Sequence, residues 1–380
     1  MSITAKELAE KLGLSAAAVS MALNNKPGVS TQTRQRVLDA ATQYGYDMTR
    51  ISMKRSGSRE IAFLIYKRHG TIVTDTAFFS ELFEGVSEGC RELGYRLNIH
   101  YFYDEEEPWF SPGGQTLFHE AAGKASQNGS GGQTSYSHER RQALSAPADG
   151  HGALSRQLAE LNPADCAGVI LLGTELTAER YPVFTSLPVP MILLDTYFET
   201  IPANYVLINN MQGAYQATSY LIRRTKKQPG YLKSSYSIGN FEERSHGFYD
   251  AVRAGGMSAS RSIVHRLSPS VEGAFSDMME LLEAGEQTAP CYFADNDLIA
   301  VGAMRAFKAK GYRIPEDISI AGFDNISYGN VVEPGLTTIH VPKKEMGHTA
   351  VLRLDQILEQ RQDIPMKIEI ATRLIKRGSA

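Results

Sequence analysis

Leu14-Ser15-Ala16-Ala17-Ala18-Val19-Ser20-Met21-Ala22-Leu23-Asn24-Asn25 is a short helix in the middle of an N-terminal set of three. Ser15 is a residue type that caps helix starts, and Val19, Ala22 and Leu23 recur on one face. Asn24-Asn25-Lys26-Pro27-Gly28 ends the helix, because Pro and Gly in succession cannot extend it. Upstream, Thr4-Ala5-Lys6-Glu7 has the form of a capping box, and Ala5, Leu8, Ala9 and Leu12 follow at helical spacing, with Gly13 at the turn. Downstream, Ser30 can cap a third helix that carries Val37, Leu38, Ala41 and Tyr44 on one face and Gly45 at its end. Three short helices around one apolar interior are the arrangement of a helix-turn-helix unit, with Leu14–Asn25 as its second helix.

The residues that carry a resemblance are Leu8-Ala9, Gly13-Leu14-Ser15, Ala18-Val19-Ser20, Leu23-Asn24, Val29-Ser30, Thr33-Arg34, Val37 and Gly45-Tyr46. On them the segment resembles the DNA-binding domain of LacI/GalR-family bacterial transcription regulators. The resemblance implies that the second helix lies in the major groove of operator DNA, with Ala16, Ala17 and Met21 at the base-reading positions. Methyl groups and a thioether can touch a thymine methyl but make no bidentate hydrogen bonds. Direct readout there is therefore expected to be weak, with more weight on Lys6 and on DNA deformability. Ser15, Ser20, Asn24, Ser30, Thr33 and Tyr46 are candidates for phosphate contact, which positions a domain without reading sequence.

Charge is distributed to match. The chain of 380 residues has a net charge of −3, yet residues 1–60 hold nine basic against five acidic side chains, leaving +4 there and −7 in the remainder. Phosphate contact is thus expected at the N-terminus alone. The polar, basic stretch 47–60 corresponds in the resembling family to a hinge that folds on operator DNA. Ser52-Met53-Lys54 falls on its Ser-Leu-Lys, which makes Met53 the expected minor-groove wedge.

From Ile61 the periodicity changes. Ile61–Tyr66 is a buried-strand run, and the following helix carries Phe79, Leu82, Phe83, Val86, Cys90 and Leu93 on one face. Strands are expected at 95–102, 167–172, 189–194, 290–294 and 318–323, and helices at 213–224, 242–255 and 296–310. Such alternation implies parallel sheets covered on both faces, an α/β class. The rhythm breaks at 104–152, opened by Asp104-Glu105-Glu106-Glu107-Pro108 and rich in Gly and Ser, which reads as a disordered insertion.

Enzyme signatures do not assemble. Gly85-Val86-Ser87-Glu88-Gly89 matches the hydrolase nucleophile pattern but falls inside an amphipathic helix, where the strained strand-to-helix turn is missing. His119-Glu120-Ala121-Ala122 lacks a second His, and no phosphate-cradling loop is present. Cys90, Cys166 and Cys291 lie far apart, suggesting neither zinc nor disulfides. No apolar run reaches membrane-span length and Met1-Ser2-Ile3-Thr4 has no signal character, so a cytoplasmic, non-enzymatic protein without cofactor or metal is expected.

The second half carries further matches: Leu194-Asp195, Asn209-Asn210, Gly213-Ala214, Arg244, Gly247-Phe248, Asn296-Asp297, Pro315–Ser319, Gly322-Phe323-Asp324-Asn325 and Leu336–Ile339. They resemble the family's two-lobed effector domain, similar to periplasmic sugar-binding proteins. The departure is Arg223-Arg224-Thr225-Lys226-Lys227-Gln228-Pro229-Gly230, where the family has a Gly-His turn. The resemblance implies effector contacts at Asp195, Arg244, Asn296 and Asp324. Phe79 offers an apolar face for a ring, and Asp297 reads as a helix cap. The chain is thus identified as a LacI/GalR-family regulator with a helix-turn-helix domain at 1–46, a hinge at 47–60 and a two-lobed effector and dimerisation domain at 61–380. It is expected to be a homodimeric repressor of carbohydrate genes on a palindromic operator of double-stranded DNA. A sugar in the interlobe cleft is its expected effector, with a nucleobase or protein corepressor as the alternative.

Overall fold

In the computed structural model, residues 5–23, 29–44, 60–68, 77–104, 152–159, 166–360 and 364–380 are described. The N-terminal unit is α1 (Ala5–Leu12), α2 (Ala16–Leu23) and α3 (Thr31–Gln43). Ser15 Oγ accepts the Ala18 N–H at 3.1 Å and Ser30 Oγ the Thr33 N–H at 3.2 Å, so both helices start where a hydroxyl replaces a missing carbonyl. Gly13 has φ +66°, the left-handed conformation that the turn between α1 and α2 requires. Leu8, Ala9, Val19, Ala22, Val37, Ala40 and Ala41 form the shared interior. Tyr44 is not part of it: it is 41% exposed with Lys11 Nζ 4.6 Å from its ring centre, and the smaller Ala40 fills the inward position.

The α/β part comprises β1 (Glu60–Lys67), α4 (Ala77–Leu93), β2 (Arg96–Tyr103), α5 (Gly152–Ala159), β3 (Gly168–Leu172), α6 (Tyr181–Phe184), β4 (Met191–Leu194), β5 (Asn204–Ile208), α7 (Asn210–Thr225), β6 (Gly230–Ser234), α8 (Gly239–Ala254), β7 (Val264–Leu267), α9 (Val271–Glu283), β8 (Cys291–Ala294), α10 (Asp297–Ala309), β9 (Ser319–Ala321), α11 (Tyr328–Val331), β10 (Thr338–His340), α12 (Lys343–Gln360), β11 (Lys367–Ile370) and β12 (Arg373–Ile375). Among the described residues one sheet has the order β11-β5-β4-β3-β1-β2 and the other β7-β6-β8-β9, with a small antiparallel β10-β12 ribbon. Pairing within the two larger sheets is parallel, with Phe63 opposite Ile99 on one side and Ile170 on the other. The two sheets are the two lobes. The chain passes between them after β5, between β10 and α12, and between β11 and β12.

β1 shows why its run is apolar throughout. Ile61, Phe63 and Ile65 face the core with Leu82, Val86 and Cys90 of α4. Ala62, Leu64 and Tyr66 face the opposite layer with Leu154, Leu158 and Phe184. A strand covered on both faces has no polar side. The Gly85–Gly89 motif lies in the interior of α4, as its helical periodicity predicts, and its glycines have a packing role. A Cβ at Gly85 would lie 2.0 Å from the Lys344 carbonyl oxygen, and one at Gly347 would lie 2.2 Å from that of Leu82. The α4 and α12 backbones meet there directly.

Three boundaries differ from expectation. β1 begins at Glu60, inside the stretch assigned to the hinge, where its backbone pairs with that of Arg96. Asp104, expected to open the disordered insertion, is buried, accepting from the Tyr66 hydroxyl at 2.7 Å and paired with Arg180 at 3.0 Å. The α5 helix then starts at Gly152, so the part of the insertion outside the described residues is 105–151. The departing Arg223–Gly230 loop is accommodated by Lys226, which closes α7 in the left-handed region at φ 57° and donates its N–H to Ile222. The described residues contain no helix long and apolar enough to cross a membrane.

Candidate functional site

On the N-terminal unit, Ala16 and Ala17 are exposed at the first turn of α2, and Met21 is half-buried one turn on. Ser15 and Ser30 are both exposed, with Ser30 Oγ lying 2.9 Å from Thr33 Oγ1. A hydroxyl that accepts a backbone N–H keeps its own proton for a phosphate oxygen, so capping and phosphate contact are compatible. Asn24, Tyr46 and Met53 lie outside the described residues, as do the side chains of Lys6 and Ser20.

The second candidate site is a cleft between the lobes, open to solvent on one side. Its polar residues come from strand ends, where α/β sheets collect ligands. Thr174 follows β3 and Asp195 follows β4 in one lobe; Asn296 follows β8 and Asp324 follows β9 in the other, and α8 supplies Asn240 and Arg244. Phe78, Phe79, Phe241, Ile238, Leu298 and Ile326 form its apolar walls. All five sequence-derived effector residues, Phe79, Asp195, Arg244, Asn296 and Asp324, line this one cleft.

Arg244 is its centre. Nε donates to Asn210 Oδ1 at 2.9 Å, Nη1 to the Asp295 carbonyl at 2.5 Å, and Nη2 lies 3.3 Å from Asp324 Oδ1. Its guanidinium sits 3.8 Å from the Phe323 ring centre and 5.5 Å from that of Phe241. A planar, weakly hydrated cation tolerates burial of this kind when its face and edges are both occupied. Across the cleft, Asp195 accepts from Thr174 Oγ1 at 2.6 Å and from Asn240 Nδ2 at 2.9 Å, a hydrogen bond that joins the lobes. Burial raises the Asp195 carboxyl to about 6 against the opposing pull of Thr174 and Arg244, and also raises that of Asp324. One Asp324 oxygen, Oδ1, is buried without a hydrogen bond. Asp195 at φ 62°, Asp324 at φ 106° and Asn325 at φ 51° all have left-handed backbones, strain of the sort that collects at ligand sites.

The helix cap, expected at Asp297, is instead Asn296. Asn296 is the helix cap, its Oδ1 accepting the Ile299 N–H at 2.9 Å while its residue still lines the cleft. Asp297 is the first helical residue, fully buried below the cleft, accepting from Thr338 Oγ1 at 2.5 Å and the Ile326 N–H at 2.9 Å. Burial, reinforced by the nearby Asp324 charge, raises its carboxyl to about 8. The reason is geometric: an extended backbone at Asn296 turns that side chain back over the first turn, whereas the next residue points into the lobe.

Sequence reasoning missed Thr174, Asn210, Asn240, Phe78, Phe241 and Asp295. A signal existed for Asn240 and Phe241, which precede Arg244 by four and three residues and so share its helix face. Asn210, Asp295 and Thr174 are brought near by tertiary structure alone.

Comparison with known proteins finds matches for both parts of the chain. Residues 4–48 match the model for bacterial regulatory proteins of the lacI family, and residues 219–380 match that for a periplasmic binding protein-like domain. The chain thus carries a lacI-family DNA-binding segment followed by a periplasmic binding protein-like domain. Among its relatives, the HTH-type transcriptional repressor PurR of Actinobacillus pleuropneumoniae serotype 3 (strain JL03) is 25% identical over 99% of this chain and 98% of that one. The fold is shared with solved family members. A transcriptional regulator CelR in complex with cellobiose superposes with a TM-score of 0.66 at 20% identity, covering all of both chains. The lac repressor dimer bound to operator and the anti-inducer ONPF superposes at 0.64 and 21%, covering 100% of this chain and 99% of that one. The relatives are transcriptional repressors rather than enzymes, in keeping with the position of Ser87 inside a helix.

Proposed function

We propose that this chain is a sequence-specific DNA-binding transcriptional repressor, acting as a homodimer on a palindromic operator and controlled by a small molecule, a sugar, in the interlobe cleft. The observation that carries the reading is the Arg244–Asp324 pair at 3.3 Å, set with Asp195 and Asn296 on strand ends of both lobes beside phenylalanine walls. Carboxylates, an amide and a guanidinium are the groups that pair with vicinal hydroxyls, while an aromatic face covers the C–H side of a ring. The assigned organisation is a DNA-binding domain at 1–46, a hinge at 47–60 and an effector and dimerisation domain from 61 onward. DNA contacts are assigned to Lys6, Ala16, Ala17, Met21 and the Met53 wedge for bases and minor groove, and to Ser15, Ser20, Asn24, Ser30, Thr33 and Tyr46 for phosphates. Effector binding changes lobe closure, and lobe closure sets the separation of the two hinges.

Fluorescence anisotropy of a labelled palindrome from the upstream region of the chain's own gene, at fixed salt with and without a sugar panel, tests this. Selective binding reversed or tightened by one sugar is the expected result. Binding no stronger than to random DNA overturns the repressor assignment for that site. A second reading, a nucleobase effector, is favoured by Phe78, Phe79 and Phe241, whose rings could stack a flat heterocycle. Bases in the same panel decide between the two.

A further inference from the structure

Among the described residues that line the cleft, the charged side chains are Asp195, Asp324 and Arg244. The cation is already engaged on every side, with Asn210 Oδ1, the Asp295 carbonyl, Asp324 and the Phe323 ring. The next basic group, Lys343, is 1% exposed and paired with Glu81 at 3.3 Å. Two further carboxylates stand behind the floor. Asp295 is held by the Tyr231 hydroxyl and, at 2.6 Å, the Ser234 N–H, and Asp297 by the Thr338 hydroxyl and the Ile326 N–H. Their hydrogen-bond partners are neutral donors; burial keeps the Asp297 carboxyl largely protonated near neutral pH, so it adds little charge, while Asp295 feels Arg244 and Lys233. Asp324 Oδ1 is buried and ion-paired with Arg244 Nη2 at 3.3 Å without meeting hydrogen-bond geometry, so the acceptor capacity of the two lining carboxylates exceeds what the one cation supplies. Asn296 spends its carbonyl oxygen on the helix cap, which leaves its NH2 group as a neutral donor.

We infer that the cleft selects its effector by charge, taking a small molecule that brings hydrogen-bond donors and no negative charge, and rejecting phosphorylated or carboxylated analogues. The inference rests on the effector-cleft reading given above and narrows it to unphosphorylated ligands. A phosphate entering this cleft would be stripped of water beside two carboxylates with no uncommitted cation to receive it. A hydroxyl or an ammonium group, in contrast, can donate to the carboxylates that line the cleft.

Isothermal titration of the full chain with matched pairs tests the inference: glucose, ribose, adenosine and uridine, each against its phosphate ester. For any parent compound that binds, the ester is expected to bind about a hundredfold more weakly or worse, the order set by like charges about 5 Å apart at an effective dielectric constant of roughly 20. Asp324→Asn removes one of those charges and is expected to narrow the gap about tenfold, with circular dichroism confirming the fold. Should that variant not fold, the wild-type pairs stand as the test. An ester that binds as tightly as its parent, or a gap unchanged in a folded Asp324→Asn protein, overturns the inference. Binding of a nucleoside but of no sugar, with its phosphate ester rejected, removes the sugar reading and leaves charge selection standing.

Discussion

Arg244 is held before any ligand arrives, and its hold is directional. A lysine at this position could keep the charge near Asp324 but could not span Asn210 and the Asp295 carbonyl or lie flat on Phe323. Arg244→Lys is therefore expected to destabilise the effector domain by about 3 kcal/mol, the scale of a broken buried pair, and to weaken effector binding. Urea denaturation with and without effector measures both. Asp297 gives a second prediction at this scale. Burial raises its folded-state carboxyl from 3.8 to about 8, so the folded protein holds a proton that the unfolded chain releases. Its contribution to stability is complete below about pH 4 and is lost as pH rises toward about 8. Stability measured from pH 5 to pH 8 is expected to fall with pH, and Asp297→Asn is expected to flatten that slope; an unchanged slope would show that the proton resides elsewhere. The family resemblance pointed to Asp195, Arg244, Asn296 and Asp324, and the fold brings all four to one cleft. The helix cap was misassigned to Asp297 because two adjacent polar residues at a helix start are distinguished only by the backbone angle of the first.

Among elements, the α4–α12 crossing shows how a catalytic-looking motif arises from packing. Gly85 and Gly89 are spaced four residues apart, one turn of helix, and face Lys344, His348 and Val351. Gly85→Ala places a methyl 2.0 Å from the Lys344 carbonyl, which the backbones can relieve only by separating. We expect a loss of about 1–3 kcal/mol, seen as a lower Tm, with Ser87→Ala on the neighbouring face nearly neutral. The two helices form part of one lobe, so Gly85→Ala is also expected to leave DNA binding by the α1–α3 unit intact where the protein remains folded. Elements with strong periodicity, such as β1 and α4, were legible within a residue or two. The strands β5, β6, β7, β10, β11 and β12 were not, because short runs bounded or interrupted by polar or charged residues carry too little pattern to separate a strand from a loop, whereas the equally short β3, β4 and β8 sit in longer continuous apolar runs.

At the scale of the molecule, two lobes meet at a cleft whose walls are bridged by Asn240 and Asp195 at 2.9 Å. A ligand that engages Asp195 competes with or reinforces that bridge, which gives effector binding a direct mechanical consequence. Operator binding is expected to involve two chains. Light scattering of the operator complex should show twice the 41.8 kDa of one chain in addition to the DNA, and the affinity should fall steeply with salt. A complex with one chain per operator would refute the homodimer.

Local rules in the chain determined the N-terminal unit almost completely. Its caps, turns and apolar spacing act within a few residues of one another, and the charge asymmetry that suits phosphate is a sum over composition. The α/β class was likewise written in the alternation of buried runs and amphipathic helices. What tertiary structure alone decided was the cleft: that Thr174 and Asn240 secure Asp195, that Asn210 and the Asp295 carbonyl secure Arg244, and that Asp324 meets Arg244 through an ion pair alone. Hydrogen bonds between residues 21 to 51 positions apart depend on where two sheets place their strand ends, and no local pattern encodes that distance.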